Sequence, residues 1–137
     1  ACVAMDFLTY PNIVENQKKY LQALDHLDPT HDYGVAFERA TRLDTGSARH
    51  YYVSGTASID RHGNVLHLGD VKLQAERLIE NIRALLDDGD AKLSDIRYLI
   101  VYLRDISDYH AVDTIFRQHF PGTPYIIVHA KVADPNG

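Results

Sequence analysis

The strongest structural signal in the sequence is an amphipathic segment that follows Gly69-Asp70. Its apolar residues recur at the spacing of one helical face, and they are Val71, Ala75, Leu78, Ile79, Ile82, Leu85 and Leu86. Asp70 is a good N-cap residue, and the DDGD stretch around Gly89 predicts the end of the helix. A helix with one apolar face has to bury that face against another layer, so a sheet is expected beneath it.

Segments of strand character lie on both sides of this helix. Alternating or β-branched residues predict strands over residues 3–10, 35–43, 50–59, 65–68, 96–103 and 125–132. The segment IRYLIVYL at residues 96–103 is nearly all apolar or aromatic, which predicts a central strand buried on both faces.

Two further helices are predicted. Pro11-Asn12 opens the first, whose apolar residues at helical spacing are Ile13, Tyr20, Leu21 and Leu24. Ser107 is suited to cap the second, and Pro121-Gly122 ends it. The inner side of this second helix is expected to carry Val112, Ile115, Phe116 and either His119 or Phe120.

The predicted fold class is α+β: a mixed β-sheet with two helices packed on one face, preceded by an N-terminal helical extension. Residues 1–32 would form the extension, and residues 33–137 the main domain. Asp134-Pro135-Asn136-Gly137 has the composition of a tight turn, so a further strand is expected to return after it and complete the sheet. A sheet covered on one side leaves its other face for a second copy to bury. Strand residues suited to that face are Tyr52, Ala57 and Ile127.

Composition argues against several classes of partner. The net charge is −5 and no basic patch is visible, so no nucleic-acid partner is expected. No apolar run is long enough to span a membrane. Cys2 is the single cysteine, which excludes a disulfide framework within one chain and favours a reducing compartment, hence a cytoplasmic location. His62 and His67 flank a turn without a carboxylate or cysteine at ligand spacing, so neither a metal nor a cofactor is expected.

Two positions at predicted strand ends are candidates for ligand binding. Gly55, with Thr56 beside it, ends a strand where a ligand can approach the backbone N–H, although a bulge or bend would also explain the glycine. Arg104 follows the apolar strand and could clamp a carboxylate with two hydrogen bonds. The alternative for Arg104 is a surface ion pair with Asp105 or Asp108.

Two residues of the last strand are further candidates. His129 is either a satisfied strand histidine or, if it opens into a cleft, a proton carrier. Tyr125 is either a packing residue or part of a pocket wall.

Several segments together resemble the reactive-intermediate deaminase (Rid) superfamily, also called YjgF-like. They are YYVSGTASID, GDVKLQAERLIENIRALL and LIVYLRDISDYHAVDTIFRQHFPGTP, with a weaker match in AFERATRL, and they span about residues 35 to 132 in family order. The resemblance implies a chorismate-mutase-like α+β fold and a homotrimer whose ligand clefts lie between subunits. It also implies activity on small metabolites, since the deaminase members hydrolyse imines and enamines derived from amino acids.

The deaminase site carries over only in part. The family tyrosine falls on Phe37, and the arginine that grips the substrate carboxylate falls on Ile126 or Ile127. The family asparagine aligns with Asp113, and Gly55 matches as the backbone donor. The family's last strand carries a glutamate that positions water, and that strand is the one expected after residue 137.

A second branch of the superfamily, the chorismatases, is similar in more detail. The similarity rests on SGTASI, on His67-Leu68-Gly69-Asp70, on the arginine of VYLRD and on the terminal VHA. Chorismatases hydrolyse chorismate to pyruvate and a cyclic acid. The resemblance implies that Arg104 grips a carboxylate and that Gly55 and Thr56 hydrogen-bond the substrate.

The sequence therefore supports two hypotheses of function. The first is a trimeric hydrolase that binds a small carboxylate-bearing metabolite between subunits through Gly55, Thr56 and Arg104, with Tyr125 and His129 lining the cleft. The second is a non-catalytic ligand-binding or interaction module on the same scaffold, which the departures at Phe37 and Ile126 favour.

Overall fold

The computed structural model describes residues 7–27 and 37–130. The predicted turn at 134–137 and the start of the strand predicted at 35–43 lie outside the described residues. Residues 7–10, the described part of the strand predicted over 3–10, do not form a strand.

Five strands and two α-helices follow one another along the chain. They are β1 (Lys18–Leu21), β2 (Ala40–Asp44), β3 (Arg49–Val53), α1 (Val71–Asp88), β4 (Leu99–Leu103), α2 (Tyr109–His119) and β5 (Tyr125–His129). Short 3-10 turns occur at Glu15–Gln17, Leu93–Asp95 and Ile106–Asp108. The predicted strand at residues 65–68 is reduced to an isolated bridge between Ile59 and Val65. No helix within the described ranges has the length and apolarity needed to cross a membrane.

The strands form two sheets. β1, β2 and β3 pair antiparallel in that order, whereas β4 and β5 form a parallel pair joined through α2. The predicted α+β class, with hairpins first and helical crossovers after, is confirmed. The hydrogen-bonded strands described here make two separate sheets, however, and not the one mixed sheet that was expected.

The prediction of a helix after Pro11 is wrong. Only one 3-10 turn forms there, and the chain continues as β1, in which Lys18 pairs with Leu43 and Leu21 with Ala40. Leu21 is 1% exposed while its neighbour Tyr20 is exposed, which is the alternation of a strand. Pairing with β2 satisfies the backbone and overrides the helical spacing. The proposed boundary between residues 32 and 33 stays a prediction.

Helix α1 is confirmed where it was predicted. The Asp70 carboxylate accepts a hydrogen bond from the Leu73 N–H at 3.0 Å, so Asp70 is the N-cap. The buried residues of α1 are Ala75, Ile79, Asn81, Ile82, Leu85 and Leu86. The stripe is apolar except for the amide of Asn81.

This stripe packs on both sheets. One part joins α2, β4 and β5 in a cluster that includes Ile79, Val101 and Phe116. The other part, around Ile82 and Leu86, contacts Tyr51 and Val53 of β3, among other residues. Leu78, Leu93 and Ile96 pack against both clusters. The two sheets therefore share one continuous core beneath α1.

The prediction that residues 96–103 are buried on both faces is wrong. Along β4, Val101 and Leu103 are buried, whereas Ile100 is 48% and Tyr102 is 58% exposed. A strand covered on one face alternates in this way. Since only α1 and α2 cover the sheet among the described residues, its second face stays open.

The open face is apolar and aromatic across both sheets. It includes Tyr52 of β3, with Tyr98, Ile100, Tyr102 and Ile126 from the β4–β5 region. Ile127 packs instead against the helix-side core, contrary to its suggested place on the open face.

A tyrosine pair connects this face with residues near the N-terminus. The hydroxyl oxygens of Tyr10 and Tyr52 lie 2.6 Å apart. That hydrogen bond, more than burial, raises the pKa of Tyr52 to about 12, and Tyr98 adds a smaller electrostatic effect.

Helix α2 starts later than predicted. Asp105, and not Ser107, caps the turn at Ile106–Asp108, because its carboxylate accepts hydrogen bonds from the N–H and the hydroxyl of Ser107. Val112, Ile115, Phe116 and Phe120 are buried as expected, and Phe120 rather than His119 is the inner residue. Gly122, with φ of 83°, turns the chain toward β5.

The C-terminal end of α1 is held by one side chain from each strand of the first sheet. Lys19 of β1 donates to the carbonyl and the carboxylate of Asp88. Arg42 of β2 and Tyr51 of β3 both donate to the carbonyl of Gly89, at 3.3 and 2.8 Å. Cations and donors at a helix C-terminus satisfy carbonyls that have no partner inside the helix.

Replacing Gly89 with Ala should destabilise the protein by about 1–3 kcal/mol, the usual effect of overpacking. A Cβ at this position would lie 2.8 Å from Leu21 Cδ1 and 2.9 Å from Tyr51 Cε1. Urea unfolding of the variant measures the effect. Asp87→Ala, at an exposed position two residues earlier, is the control and should change stability little. Equal stability of the two variants would contradict this packing.

Candidate functional site

The loop after β3 is anchored on its strand side. The N–H of Ser54 donates to the carbonyl of Arg39 at 3.0 Å, and its hydroxyl donates to the carbonyl of Glu38 at 2.6 Å. The Thr56 hydroxyl donates to the Ser54 carbonyl at 3.2 Å. The hydroxyls on either side of Gly55 are thus hydrogen-bonded, Ser54 to the segment before β2 and Thr56 within the loop, whereas the glycine itself is exposed.

Gly55 differs from the other glycines in the described residues. Gly46, Gly63, Gly69 and Gly122 have positive φ. Gly89 is closely packed, whereas a Cβ on Gly55 would meet no heavy atom within 4 Å, and its φ is not positive. Neither packing nor backbone conformation among the described residues requires glycine at position 55. The open space beside its backbone can admit a ligand or another copy of the chain.

Arg104 and His129 come together at the C-terminal ends of the parallel strands. Leu103 pairs with His129 in the register, and Nε2 of His129 lies 3.2 Å from the carbonyl oxygen of Arg104. A carbonyl only accepts, so Nε2 carries the hydrogen, and in the neutral ring Nδ1 is the basic nitrogen. Both residues are exposed.

The surface ion pair considered for Arg104 is not formed. Its guanidinium makes no ion pair or hydrogen bond with any residue of the described ranges, Asp105 and Asp108 included. The Asp105 carboxylate is bound by Ser107, whose hydrogen bonds hold the pKa of Asp105 below its ordinary value. The cation of Arg104 is therefore available to a partner outside these residues.

The structure does not bring all predicted site residues together. Tyr125 starts β5 and His129 ends it, so four residue steps, or about 13 Å, separate them along the strand. None of the hydrogen bonds or ion pairs among the described residues joins Gly55 or Thr56 to Arg104 or His129. Within one chain, Tyr125 and the Arg104–His129 pair therefore lie at opposite ends of β5.

Tyr125 belongs to a groove of about 370 Å³ beside α2. Its hydroxyl donates to Asp113 Oδ1 at 2.7 Å, and Arg117 Nε lies 2.8 Å from Asp113 Oδ2. The Tyr125 hydrogen bond, assisted by Arg117, lowers the pKa of Asp113. Burial, with the bond to Asp113, raises the pKa of Tyr125. An ionised carboxylate bound on both oxygens stabilises this corner rather than exchanging protons.

Two features of the surface were missed from the sequence. Arg117 completes the Tyr125 groove, and its spacing of four residues from Asp113 on one helix was the available signal. A second groove of about 350 Å³ lies along α1 and is lined by Leu66, His67, Leu73, Glu76, Arg77, Glu80 and Arg83. In the described part of the chain, no group of three or more histidine, cysteine or carboxylate side chains is placed to hold a metal ion.

Replacing Tyr125 with Phe should raise the pKa of Asp113 toward its ordinary value, because it removes the hydrogen bond that lowers this pKa most. A carboxyl whose pKa is lowered by folding stabilises the fold above its unfolded pKa and loses that contribution as the pH falls through its folded pKa. The stability gap between wild type and Tyr125→Phe should therefore be largest near neutral pH and narrow in acid. NMR titration of the Asp113 carboxyl carbon and urea unfolding at several pH values measure both effects.

Tyr109→Phe is the matched control, since Tyr109 lines the same groove but its hydroxyl has no hydrogen-bond partner among the described residues. It should leave the Asp113 titration unchanged. An unchanged titration in Tyr125→Phe as well would contradict the assignment.

Comparison with known proteins finds relatives in sequence and in fold. A family model described as Endoribonuclease L-PSP matches residues 35–134. The 3-aminoacrylate deaminase RutC of Acinetobacter baylyi is 33% identical over 70 residues, which are 51% of this chain and 56% of RutC. Yeast Mmf1 superposes with a TM-score of 0.70 at 17% identity, covering 87% of this chain and 90% of Mmf1.

A chorismatase also has this fold. It superposes with a TM-score of 0.74 at 24% identity, covering 85% of this chain and 40% of the chorismatase. The match to RutC spans just over half of that relative's length, and the chorismatase is much longer than the part that superposes. At these identities the structural likenesses show the fold alone.

Proposed function

The chain belongs to the Endoribonuclease L-PSP family, and from that premise we propose that it binds a small carboxylate-bearing metabolite between neighbouring copies and hydrolyses it. The resemblance to the Rid superfamily predicted from the sequence is confirmed. RutC is a deaminase, and the chorismatase shares the fold, so hydrolysis of a small metabolite is the common theme of these relatives.

The observation that carries the proposal is the unexplained glycine at position 55. Since the described residues leave open space beside Gly55, its lack of a side chain serves something outside them. A backbone N–H that no side chain shields is a good donor to the oxygen of a carbonyl or oxyanion. Gly55 therefore supplies the donor side of the cleft, with Thr56 next to it.

Arg104 supplies the cationic side of the cleft. Its exposed guanidinium lacks a partner in the described residues, and a guanidinium binds a carboxylate with two parallel hydrogen bonds. No described contact joins Arg104 to Gly55 of the same chain. The cleft is therefore completed by Arg104 and His129 of an adjacent copy.

His129 is suited to carry a proton in this cleft. With Nε2 bound to the Arg104 carbonyl, Nδ1 can accept a proton from an attacking water. Water adds to the electrophilic carbon of the bound substrate, and the negative charge that develops is stabilised by the Gly55 N–H. The addition intermediate then collapses: the bond between its central carbon and the leaving group breaks, and the proton on Nδ1 passes to that leaving group. Tyr125, whose hydroxyl donates to Asp113 within its own chain, stays a predicted lining residue of the cleft.

The open face of the sheets supports assembly with other copies, and the family resemblance implies that the assembly is a homotrimer. Apolar and aromatic residues cover this face in both sheets, and a contiguous patch of that kind marks an interface. Burying it between copies removes Tyr102 and Ile126 from water and brings the strand ends of different copies together.

A non-catalytic ligand-binding module is the second candidate. The position of the deaminase tyrosine carries Phe37, whose ring lies 5.5 Å from the Arg39 guanidinium carbon. The position of the arginine carries Ile126 or Ile127, of which Ile126 is 58% exposed. Neither phenylalanine nor isoleucine can bind or protonate a substrate carboxylate. The absence of a nucleic-acid partner and the cytoplasmic location stay predictions from the charge of −5 and the single cysteine.

Gly55→Ala and Arg104→Ala should each weaken binding of pyruvate, used as the carboxylate probe, by about tenfold or more. The first places a methyl group over the backbone donor, and the second removes the cation. NMR titration of the wild-type protein should shift the Gly55 and Thr56 amides. Unfolding stability of Gly55→Ala should stay within about 0.5 kcal/mol of wild type, because the added Cβ has no neighbour.

Arg97→Ala, an exposed arginine before β4, is the matched control and should bind pyruvate as wild type does. Methyl pyruvate, which lacks the charge, should bind weakly to all variants. If pyruvate binds Arg104→Ala as well as it binds wild type, the carboxylate assignment is wrong. If Arg104→Ala loses pyruvate binding and no carboxylate is turned over by wild type, the non-catalytic module is the better description.

Tyr102→Asp and Ile126→Asp should convert a trimer into monomers, because each places a charge on the open face of the β4–β5 pair. Sedimentation velocity measures the assembly state. Leu73→Asp is the control: Leu73 is also an exposed apolar residue, but it lies on the outer side of α1. A wild-type protein that sediments as a monomer would contradict the shared cleft.

A further inference from the structure

Asn81 is a buried polar residue within the apolar stripe of α1. Its side chain is completely inaccessible to solvent. Nδ2 donates to the carbonyl of Ala57 at 3.1 Å and to the carbonyl of Ile59 at 3.2 Å. The orientation of the amide is defined, since two carbonyl oxygens can only accept. The helix thus grips the backbone that follows Gly55.

This arrangement is costly for a residue that serves stability alone. Oδ1 of Asn81 is buried and has no hydrogen-bond partner in the described part of the chain. An unpaired buried oxygen is unfavourable, and an apolar residue at this position would avoid that penalty. The amide therefore contributes something other than stability, namely its hydrogen bonds to the carbonyls of Ala57 and Ile59.

Each residue of the segment 57–59 is held by hydrogen bonds to other parts of the chain. Ser58 exchanges hydrogen bonds with Leu66, through the Ser58 hydroxyl at 3.1 Å and the Leu66 N–H at 2.8 Å. Arg77 of α1 also donates to the Ile59 carbonyl, at 3.3 Å. By contrast, no atom of the described residues supports the Gly55 backbone from the side on which a Cβ would project.

We propose that Asn81 is a positioning residue that holds the Gly55–Thr56 backbone donors in place for the ligand. The inference rests on the proposed function of Gly55. Ser54 fixes the strand side of the loop, and Asn81 fixes the helix side two residues after Gly55. Donors held rigidly before the ligand arrives do not have to be reorganised during binding.

The test compares Asn81→Leu and Asn81→Ser with Leu85→Ala. Leu85 is equally buried one turn further along α1, and it does not contact residues 57–59 through any hydrogen bond, so its truncation controls for general destabilisation. The two Asn81 variants perturb packing in opposite directions, since leucine keeps the branched shape but is larger, whereas serine is smaller and keeps a donor. Amide NMR shifts and hydrogen exchange of Gly55 and Thr56 are measured first, without ligand.

We expect the Asn81 variants to shift the Gly55 and Thr56 amides and to speed their exchange by about tenfold, while Leu85→Ala leaves both near wild type. Pyruvate affinity should fall by about tenfold in Asn81→Leu and less in Asn81→Ser. Leu85→Ala should bind pyruvate with wild-type affinity, even where its free energy of unfolding falls as much as that of the Asn81 variants.

The two proposals fail in different ways. If the wild-type protein does not bind pyruvate, the proposed function is wrong. The amide shifts of Gly55 and Thr56 would still show whether Asn81 positions the loop. Folded Asn81 variants with unchanged Gly55 and Thr56 amides would overturn the positioning role, whatever the affinity. A loss of pyruvate affinity that Leu85→Ala shows equally would also overturn it, because the cause would then be general destabilisation.

Discussion

Packing of one helix against two sheets is the constraint on which this structure depends. No ladder hydrogen bonds join β3 to the β4–β5 pair in the described residues, so side-chain packing sets their relation. The stripe of α1 contacts both, and Leu78, Leu93 and Ile96 pack against both clusters. At its C-terminal end, Lys19 and Tyr51 bind the last carbonyls and fix the helix along the first sheet. The relative position of every strand end therefore depends on α1.

The same constraint explains why the other face of the sheets is open. Both helices lie on one side, so the alternating residues of β4 divide into a buried pair and an exposed pair. In water, exposure of Tyr102 and Ile126 is unfavourable, and a second copy of the chain can remove it. Under the proposed function, assembly and ligand binding are linked, because the cleft needs Gly55 from one copy and Arg104 from another.

What could be predicted from the sequence depended on where the deciding interaction lies. Helix α1 was predictable because its periodicity and the Asp70 cap are local and agree. β1 was not, since Tyr20 and Leu21 have helical spacing as well as strand character, and pairing with β2 decides between them. The exposure of Ile100 was missed because an apolar run does not show whether its second face is covered within the chain or by another copy.

The residues of the proposed site were likewise predictable only where the signal is local. Gly55 and Arg104 were found from residue type and strand position, whereas the contact of His129 with Arg104 follows from the parallel register of β4 and β5, which no local pattern encodes. Asn81 had a signal in the sequence that went unused: an amide inside an otherwise apolar stripe. Apolar members of that stripe hold the layers together without direction, whereas an amide binds particular carbonyls. A polar side chain within the apolar stripe of a core helix therefore indicates that the helix hydrogen-bonds a nearby loop and fixes its position.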